Sequence, residues 1–164
     1  MALRRLLLLV LVACLSGCNS DVIIPEVISN PASAPVAVSP AQAALIISQL
    51  RSEHDLPPVV VSSQLNAVAQ AYADLMAAEG KVDHDLDGVL TSRLSRAGYV
   101  FVAAGENIGG GYHSVGEAFD RWEASPVHLA NILAPPITEI GIATAFNAAS
   151  PYRTFWVLVL AKPG

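Results

Sequence analysis

Ile140-Gly141-Ile142-Ala143-Thr144-Ala145-Phe146, then Asn147-Ala148-Ala149-Ser150-Pro151-Tyr152, then Phe155-Trp156-Val157-Leu158-Val159-Leu160-Ala161: this tail decides the fold class. Two short runs rich in β-branched and aromatic side chains, joined by turn-forming residues, read as an antiparallel hairpin. Upstream the hydrophobic period changes from two to 3.6. Ser39-Pro40-Ala41-Gln42 is a capping box with proline in the first turn, and Ala43, Ile46, Ile47 and Leu50 follow on one face. Leu56-Pro57-Pro58 closes that helix. A second helix starts near Ser62 or Ser63, carries Leu65, Val68, Ala69, Tyr72, Leu75 and Met76, and stops at Gly80. Residues 89–97 read as a short helix ending at Gly98. Ser114-Val115-Gly116-Glu117 opens another helix with Val115, Ala118, Phe119 and Trp122 on its buried face, and Ser125-Pro126 starts one more that Pro135-Pro136 ends. Tyr99 to Ala103 offers a third strand. Helices around a small antiparallel sheet make an α+β layering.

Composition narrows the function classes. The 164 residues are 53% hydrophobic and 14% charged, too apolar and too weakly charged for a disordered chain. Nine Lys and Arg against 14 Asp and Glu leave no basic surface for nucleic acid. Two cysteines cannot staple a chain of this length.

The front of the chain is an address. Arg4 and Arg5 precede an unbroken apolar run from Leu6 to Leu15, the layout of an export signal and shorter than a transmembrane span. Leu15-Ser16-Gly17-Cys18 resembles a bacterial lipobox. That resemblance implies cleavage after residue 17, with Cys18 becoming an acylated first residue. A multiply acylated cysteine is a lasting membrane anchor, since each buried CH₂ contributes about 0.8 kcal/mol. Asn19 after it points, by analogy, to the outer rather than the inner membrane. The expected organisation is a signal over 1–17, a Pro/Ala/Ser-rich tether over 18–39, and one domain over 40–164. With Cys14 removed and Cys18 modified, the domain holds together by packing alone, which about 125 residues can support.

Three polar blocks stand out: Asp83-His84-Asp85-Leu86-Asp87-Gly88, Gly105-Glu106-Asn107-Ile108, and Trp122-Glu123-Ala124-Ser125-Pro126-Val127-His128. Each alone is weak evidence, and a lone Glu-Asn pair usually marks a turn. Asp83-x-Asp85-x-Asp87-Gly88 matches the first half of a calcium loop, but position 12 is Leu94 where a bidentate glutamate is required. Gly109-Gly110-Gly111 extends to no phosphate-binding pattern and reads as a flexible approach to the next helix. No G-x-S-x-G serine elbow is present.

In order and spacing these pieces resemble the CAP superfamily of cysteine-rich secretory, antigen-five and pathogenesis-related proteins, in its bacterial form. The resemblance runs from about Ala41 to Leu160. It rests on Leu50-Arg51 with Leu56-Pro57-Pro58, His84 with Asp87-Gly88, Arg93, Gly98-Tyr99, Gly105-Glu106-Asn107-Ile108, and Trp122 with Ser125-Pro126 and His128. Asn131-Ile132-Leu133, Glu139-Ile140-Gly141-Ile142 and Phe155-Trp156-Val157 complete it.

It implies a three-layer α-β-α sandwich and a cleft of two histidines and acidic residues that sometimes holds zinc. Here His84 and His128 correspond to the histidines and Glu106 to one carboxylate. Ser125 stands where eukaryotic members place the second. The implied cleft is His84, Glu106, Asn107, Ser125 and His128, with His84 and His128 as metal ligands and Glu106 or His128 as catalytic groups if any exist.

Three readings follow. In the first, an anchored envelope domain binds a small apolar ligand, a sterol-like or other lipid, or a peptide in that cleft, with no nucleic-acid partner. In the second, it is a zinc-assisted hydrolase or peptidase. In the third, the cluster is structural, Glu106 bonding both imidazoles, and the protein serves a partner in the envelope or periplasm. With a single carboxylate for both ligand and base, catalysis is the weaker expectation.

Overall fold

The computed structural model describes residues 34–164. The signal, Cys18 and most of the tether lie outside the described residues. Five helices and four strands follow in the order α1 (Pro40–Ser52), β1 (Val60–Val61), α2 (Ser63–Glu79), α3 (Leu90–Arg96), β2 (Phe101–Gly110), α4 (Val115–Glu123), α5 (Pro126–Ile132), β3 (Glu139–Phe146) and β4 (Thr154–Pro163). The sheet order is β1-β3-β4-β2. β4 is central and antiparallel to both β2 and β3, while the two-residue β1 adds a parallel rung at Val60–Glu139 and Val61–Ile140. This is the α+β, three-layer α-β-α architecture.

The layers follow from the alternation of side chains along a strand. On β4, Trp156, Leu158 and Leu160 join Ala43 and Ile47 of α1, Phe119 and Trp122 of α4 and Ile132 of α5 in one core. Phe155, Val157, Val159 and Ala161 point the other way, into a second core with Leu65, Tyr72 and Met76 of α2 and Leu94 of α3. Every residue of β4 from Phe155 to Ala161 is buried, so the hairpin read from the tail is two-sided, not half-exposed.

The helix starts are as the sequence indicates. Ser39, Ser62 and Ser114 accept from the backbone of Gln42, Leu65 and Glu117, and α2 ends at Gly80 with φ 65°. One difference is chemical: the Glu117 carboxylate accepts from the backbone N and Nδ1 of His113 at 2.8 and 2.9 Å, one residue earlier than a capping box would have it.

Two sequence readings are corrected. The third strand is not confined to Tyr99–Ala103: β2 runs on through Gly105-Glu106-Asn107-Ile108 to Gly110, with Gly105 to Gly110 in register against Leu160 to Phe155. Nor are Gly109 and Gly110 a flexible approach, since a Cβ on Gly109 would lie 2.2 Å from the Tyr112 ring. Gly109 makes room for the Tyr112 ring on the strand, and Gly110 for Val82 and Tyr152.

A Cβ on Gly141 would lie 2.1 Å from the Leu65 backbone, so the first turn of α2 rests directly on β3. From there α2 seals the flank of β3. Asn66 Oδ1 accepts from Ile142 N at 2.9 Å and Gln70 Nε2 donates to Thr144 O at 3.1 Å. Thr144 Oγ1 in turn donates to Val36 O at 2.6 Å, and Val36 and Val38 pack on the first core, so the end of the tether is already part of the domain's surface.

Candidate functional site

β2 is the edge strand from which the site is built. Side-chain alternation sends Glu106, in line with Ile108, toward the α2–α3 layer, and sends Asn107 toward α5. Glu106 is 7% exposed and Asn107 fully buried.

Around Glu106 the partners are complete. Arg93 Nη1 and Nη2 donate to its Oε2 and Oε1 at 2.7 and 3.0 Å, a bidentate pair, and His84 Nδ1 lies 2.8 Å from Oε1. Arg93 also donates to the carbonyls of Gly88 and His84, and its guanidinium carbon sits 3.4 Å from the centre of the Tyr72 ring. Tyr72 Oη donates to Asp83 O at 2.7 Å and accepts from Leu86 N at 3.2 Å. Residues 83–88 are therefore held by Tyr72 and Arg93, and His84 is placed with one ring edge on Glu106 while its side chain stays 53% exposed.

On the other side Asn107 Nδ2 donates to His128 O at 3.0 Å and its Oδ1 accepts from Asn131 Nδ2 at 2.9 Å. Asn131 Nδ2 also donates to Glu106 O at 3.1 Å. These bonds fix the first turns of α5, and with them His128, against the edge of β2. Burial, and secondarily the charge of His84, hold the His128 ring below the ordinary histidine range.

Two neighbouring residues of one strand thus govern two imidazoles arriving from opposite layers. His84 and Glu106 come into direct contact, and His128 comes within electrostatic reach of His84. Asn107 is a brace and not a cleft wall. Ser125 is the N-cap position of α5 but makes no side-chain capping bond there. The structural reading in which Glu106 bonds both histidines is half met: its second partner is Arg93, not His128.

The sequence reading missed what Arg93 does. The signal was present: Arg93 lies beside Leu94 on the buried side of α3, where a charge requires a partner.

The residues do not fit a zinc site well. Both oxygens of Glu106 already accept from Arg93 or His84, so a metal at this carboxylate would have to compete with the His84 ring and sit against a buried guanidinium charge. Among the described residues, no three His, Cys, Asp or Glu side chains stand close enough to hold an ion.

An apolar hollow lies elsewhere. Between α2 and α3 a groove of about 360 Å³ is lined by Ala67, Val68, Ala71, Tyr72, Leu75 and Ala97, with Gln64, Asp87, Arg93 and Arg96 around it. It backs onto the Arg93–Tyr72 stack, whose opposite side holds Glu106 and His84.

The His128 shift has a measurable sign. The folded chain favours the neutral ring, so the unfolded chain takes up a proton first. His128 therefore contributes full stability above the unfolded value of about 6.5 and loses it as pH falls through the lower folded value. Urea midpoints at pH 7 and pH 5 are expected to differ less in His128→Asn than in the unaltered protein. Equal differences in the two would refute the assignment.

With this geometry in view the kinship can be stated. Residues 46–160 match the family described as CAP: Cysteine-rich secretory protein family. The chain belongs to that family. Its CAP domain resembles an extracellular protein of Bacillus anthracis that contains an SCP domain, at 27% identity and TM-score 0.65 over 74% of this chain and 39% of that one. It shares the fold of an outer surface protein of Borrelia burgdorferi, at 19% identity and TM-score 0.67 over 77% of this chain and 97% of that one. A cysteine-rich secretory protein of Staphylococcus aureus is similar at 18% identity and TM-score 0.57, over 75% of this chain and 38% of the other. The CAP domain thus spans about two fifths of the Bacillus and Staphylococcus proteins. No curated protein sequence matches the chain.

Proposed function

We propose that this is an exported CAP-domain protein, held at a bacterial membrane by an acylated Cys18, whose domain binds a ligand without catalysing a reaction on it. The observation that carries the second half is the state of Glu106. A general base needs a free lone pair within reach of its proton, and a metal ligand needs one aimed at the ion. Glu106 takes three charge-assisted or imidazole contacts, which leave about one of its four lone-pair sites, on Oε2, and with the residue only 7% exposed that site is largely closed to solvent. What faces solvent is the outer edge of His84, with His128 beside it. Those rings offer hydrogen bonds to a polar head or a peptide, beside a surface that is otherwise closely packed.

Export is supported by Arg4-Arg5, the apolar run and the Leu15–Cys18 sequence, and it agrees with the extracellular and outer-surface descriptions of the Bacillus and Borrelia proteins. No helix among the described residues is long and apolar enough to cross a membrane. The outer membrane is the proposed destination. Ligands in keeping with this placement are lipids, other small apolar molecules and peptides.

The test uses the full-length chain produced in bacteria. A clickable palmitate analogue is expected to label it and leave it in the membrane pellet, and Cys18→Ala is expected to lose the label and move to the soluble fraction. The detergent-solubilised protein should retain no stoichiometric zinc and cleave no peptide in a His84-dependent way. One equivalent of zinc, lost in His84→Ala or His128→Ala and accompanied by hydrolysis, would replace the binding reading with the hydrolase reading.

A further inference from the structure

Gln64, Ala67, Ala71 and Leu75 line the α2–α3 groove at helical spacing, with Ala97 at the end of α3 facing them. From Gln64 to Leu75 the helix rises roughly 16 Å, at about 1.5 Å per residue. A hollow of about 360 Å³ drawn out along that line is a channel and not a round pocket. Ala67, Ala71 and Ala97 are exposed, while Val68 and Tyr72 lie buried behind them. The channel is therefore walled by methyl groups and backed by apolar side chains, all within reach from outside. An extended chain of about five residues has the same length, at about 3.3 Å per residue.

The polar groups along the channel differ in the bonding capacity they have left. Arg93 has none to spare: Glu106, His84 O and Gly88 O take its donors, and Tyr72 covers its face. Arg96 is different. Its Nη2 donates to the backbone and side chain of Asp87, and among the described residues Nε and Nη1 meet no acceptor. The Arg96 side chain is 53% exposed, so it can take a carboxylate without giving up Asp87. An ammonium would find only Asp87, whose charge Arg96 already balances. Gln64 has the opposite surplus. Its Nε2 donates to Ala97 O at 2.7 Å, which leaves Oε1 as an acceptor.

One charged donor and one neutral acceptor along an apolar channel call for a ligand with a carboxylate, an N–H and apolar side chains. A fatty acid has the first and lacks the second. A peptide with a free C-terminus has all three.

We propose that the α2–α3 groove binds the C-terminal end of an apolar peptide in extended form, its carboxylate on Arg96, an amide N–H on Gln64 and its side chains against Ala67, Ala71 and Leu75. The proposal rests on the reading of the domain as a binding module but not on the imidazoles, because the Arg93–Tyr72 stack stands between the groove and His84.

The test is fluorescence anisotropy of an N-terminally labelled alanine-leucine pentapeptide ending in leucine, titrated with the full-length chain in lipid nanodiscs. Saturable binding is expected. The C-terminal amide of the same peptide, and the acid with Arg96→Ala, should each bind at least about tenfold more weakly, the loss of one charge-assisted bond. Ala71→Trp fills the channel from an exposed position, so it should abolish binding while helical circular dichroism and melting temperature stay unchanged. Failure to saturate, equal affinity for acid and amide, or undiminished binding in Ala71→Trp would overturn the proposal. So would dodecanoate displacing the peptide at lower concentration than the unlabelled peptide does. Zinc content and His84-dependent cleavage, measured on the same samples, report separately whether the domain is a binding module at all.

Discussion

Replacing Arg51 by methionine is expected to destabilise the domain by about 4 kcal/mol, close to the whole stability of a marginal protein. Arg51 is 0% exposed, yet it has no carboxylate partner. Its guanidinium donates instead to four carbonyls: Pro57 at 2.8 Å, Ile132 at 2.8 Å, Ala134 at 3.0 Å and Ile137 at 3.0 Å. Two of these close α5 at its negative end, where a cation is favoured. The others fix the turn after α1 and the entry to β3. Burial lowers the pKa of the guanidinium, but no shift of ordinary size removes its charge near neutrality. Methionine fills similar volume and leaves the carbonyls of Pro57, Ile132 and Ile137 without this donor, while Ala134 O keeps Ile137 N at 3.2 Å. Arg51→Lys keeps the charge without the planar fork, so about half the loss is expected. Urea unfolding followed by tryptophan fluorescence measures both, since Trp122 and Trp156 are fully buried. A loss below about 1 kcal/mol for Arg51→Met would show that water replaces the guanidinium without penalty.

The second large effect is at Glu106. Its removal in Glu106→Ala leaves Arg93, with a side chain 5% exposed, as an unpaired charge between Tyr72 and β2. Breaking a buried pair by taking one partner costs about 3–5 kcal/mol, whereas replacing both by apolar groups of similar size is often neutral. Glu106→Leu with Arg93→Met is therefore expected to recover most of the stability lost in Glu106→Ala. The coupling energy from the full double-mutant cycle should exceed about 1 kcal/mol. A coupling near zero would mean that the pair is incidental and that Glu106 is held for another reason. Because His84 hangs on the same carboxylate, its ring should also lose its fixed position in Glu106→Ala, visible as line broadening of its proton resonances.

Much of this was legible in the residues, and the exceptions have physical causes. Helix starts at Ser39, Ser62 and Ser114 are local chemistry: a hydroxyl and two free amides suffice, and the spacing declares them. The β3–β4 hairpin is equally local. What escaped was the length of β2, because Gly105, Gly109 and Gly110 argue against a strand when read alone. They are strand residues here because Asn131, Tyr112, and Val82 with Tyr152, respectively, pack where their side chains would stand. β1 escaped because two residues carry no period at all. At the site, the pairing of His84 with Glu106 followed from the family resemblance and is present in the structure. Arg93 has a place in the family pattern but no role read from it, since the partner that a buried charge will take lies 13 residues away, past Ala103 where the sequence reading ends the third strand. The same blindness covered Arg51, which continues the buried line of Ala43 and Ile47 at helical spacing and so announced a satisfied charge in the core.

Beyond the two-residue rung of β1, the free flanks of β3 and β2 are finished by side chains and not by more backbone. Asn66 and Gln70 serve the flank of β3, while Asn131 Nδ2 and Trp122 Nε1 reach Glu106 O and Ile108 O on β2. A foreign strand seeking to extend the sheet would have to evict an amide or an indole before making its first rung. Copies crowded at high local density can therefore collide repeatedly without zipping together along these flanks. Mutations at Asn66 or Asn131 would show first as fibrous deposits and only later as lost folding.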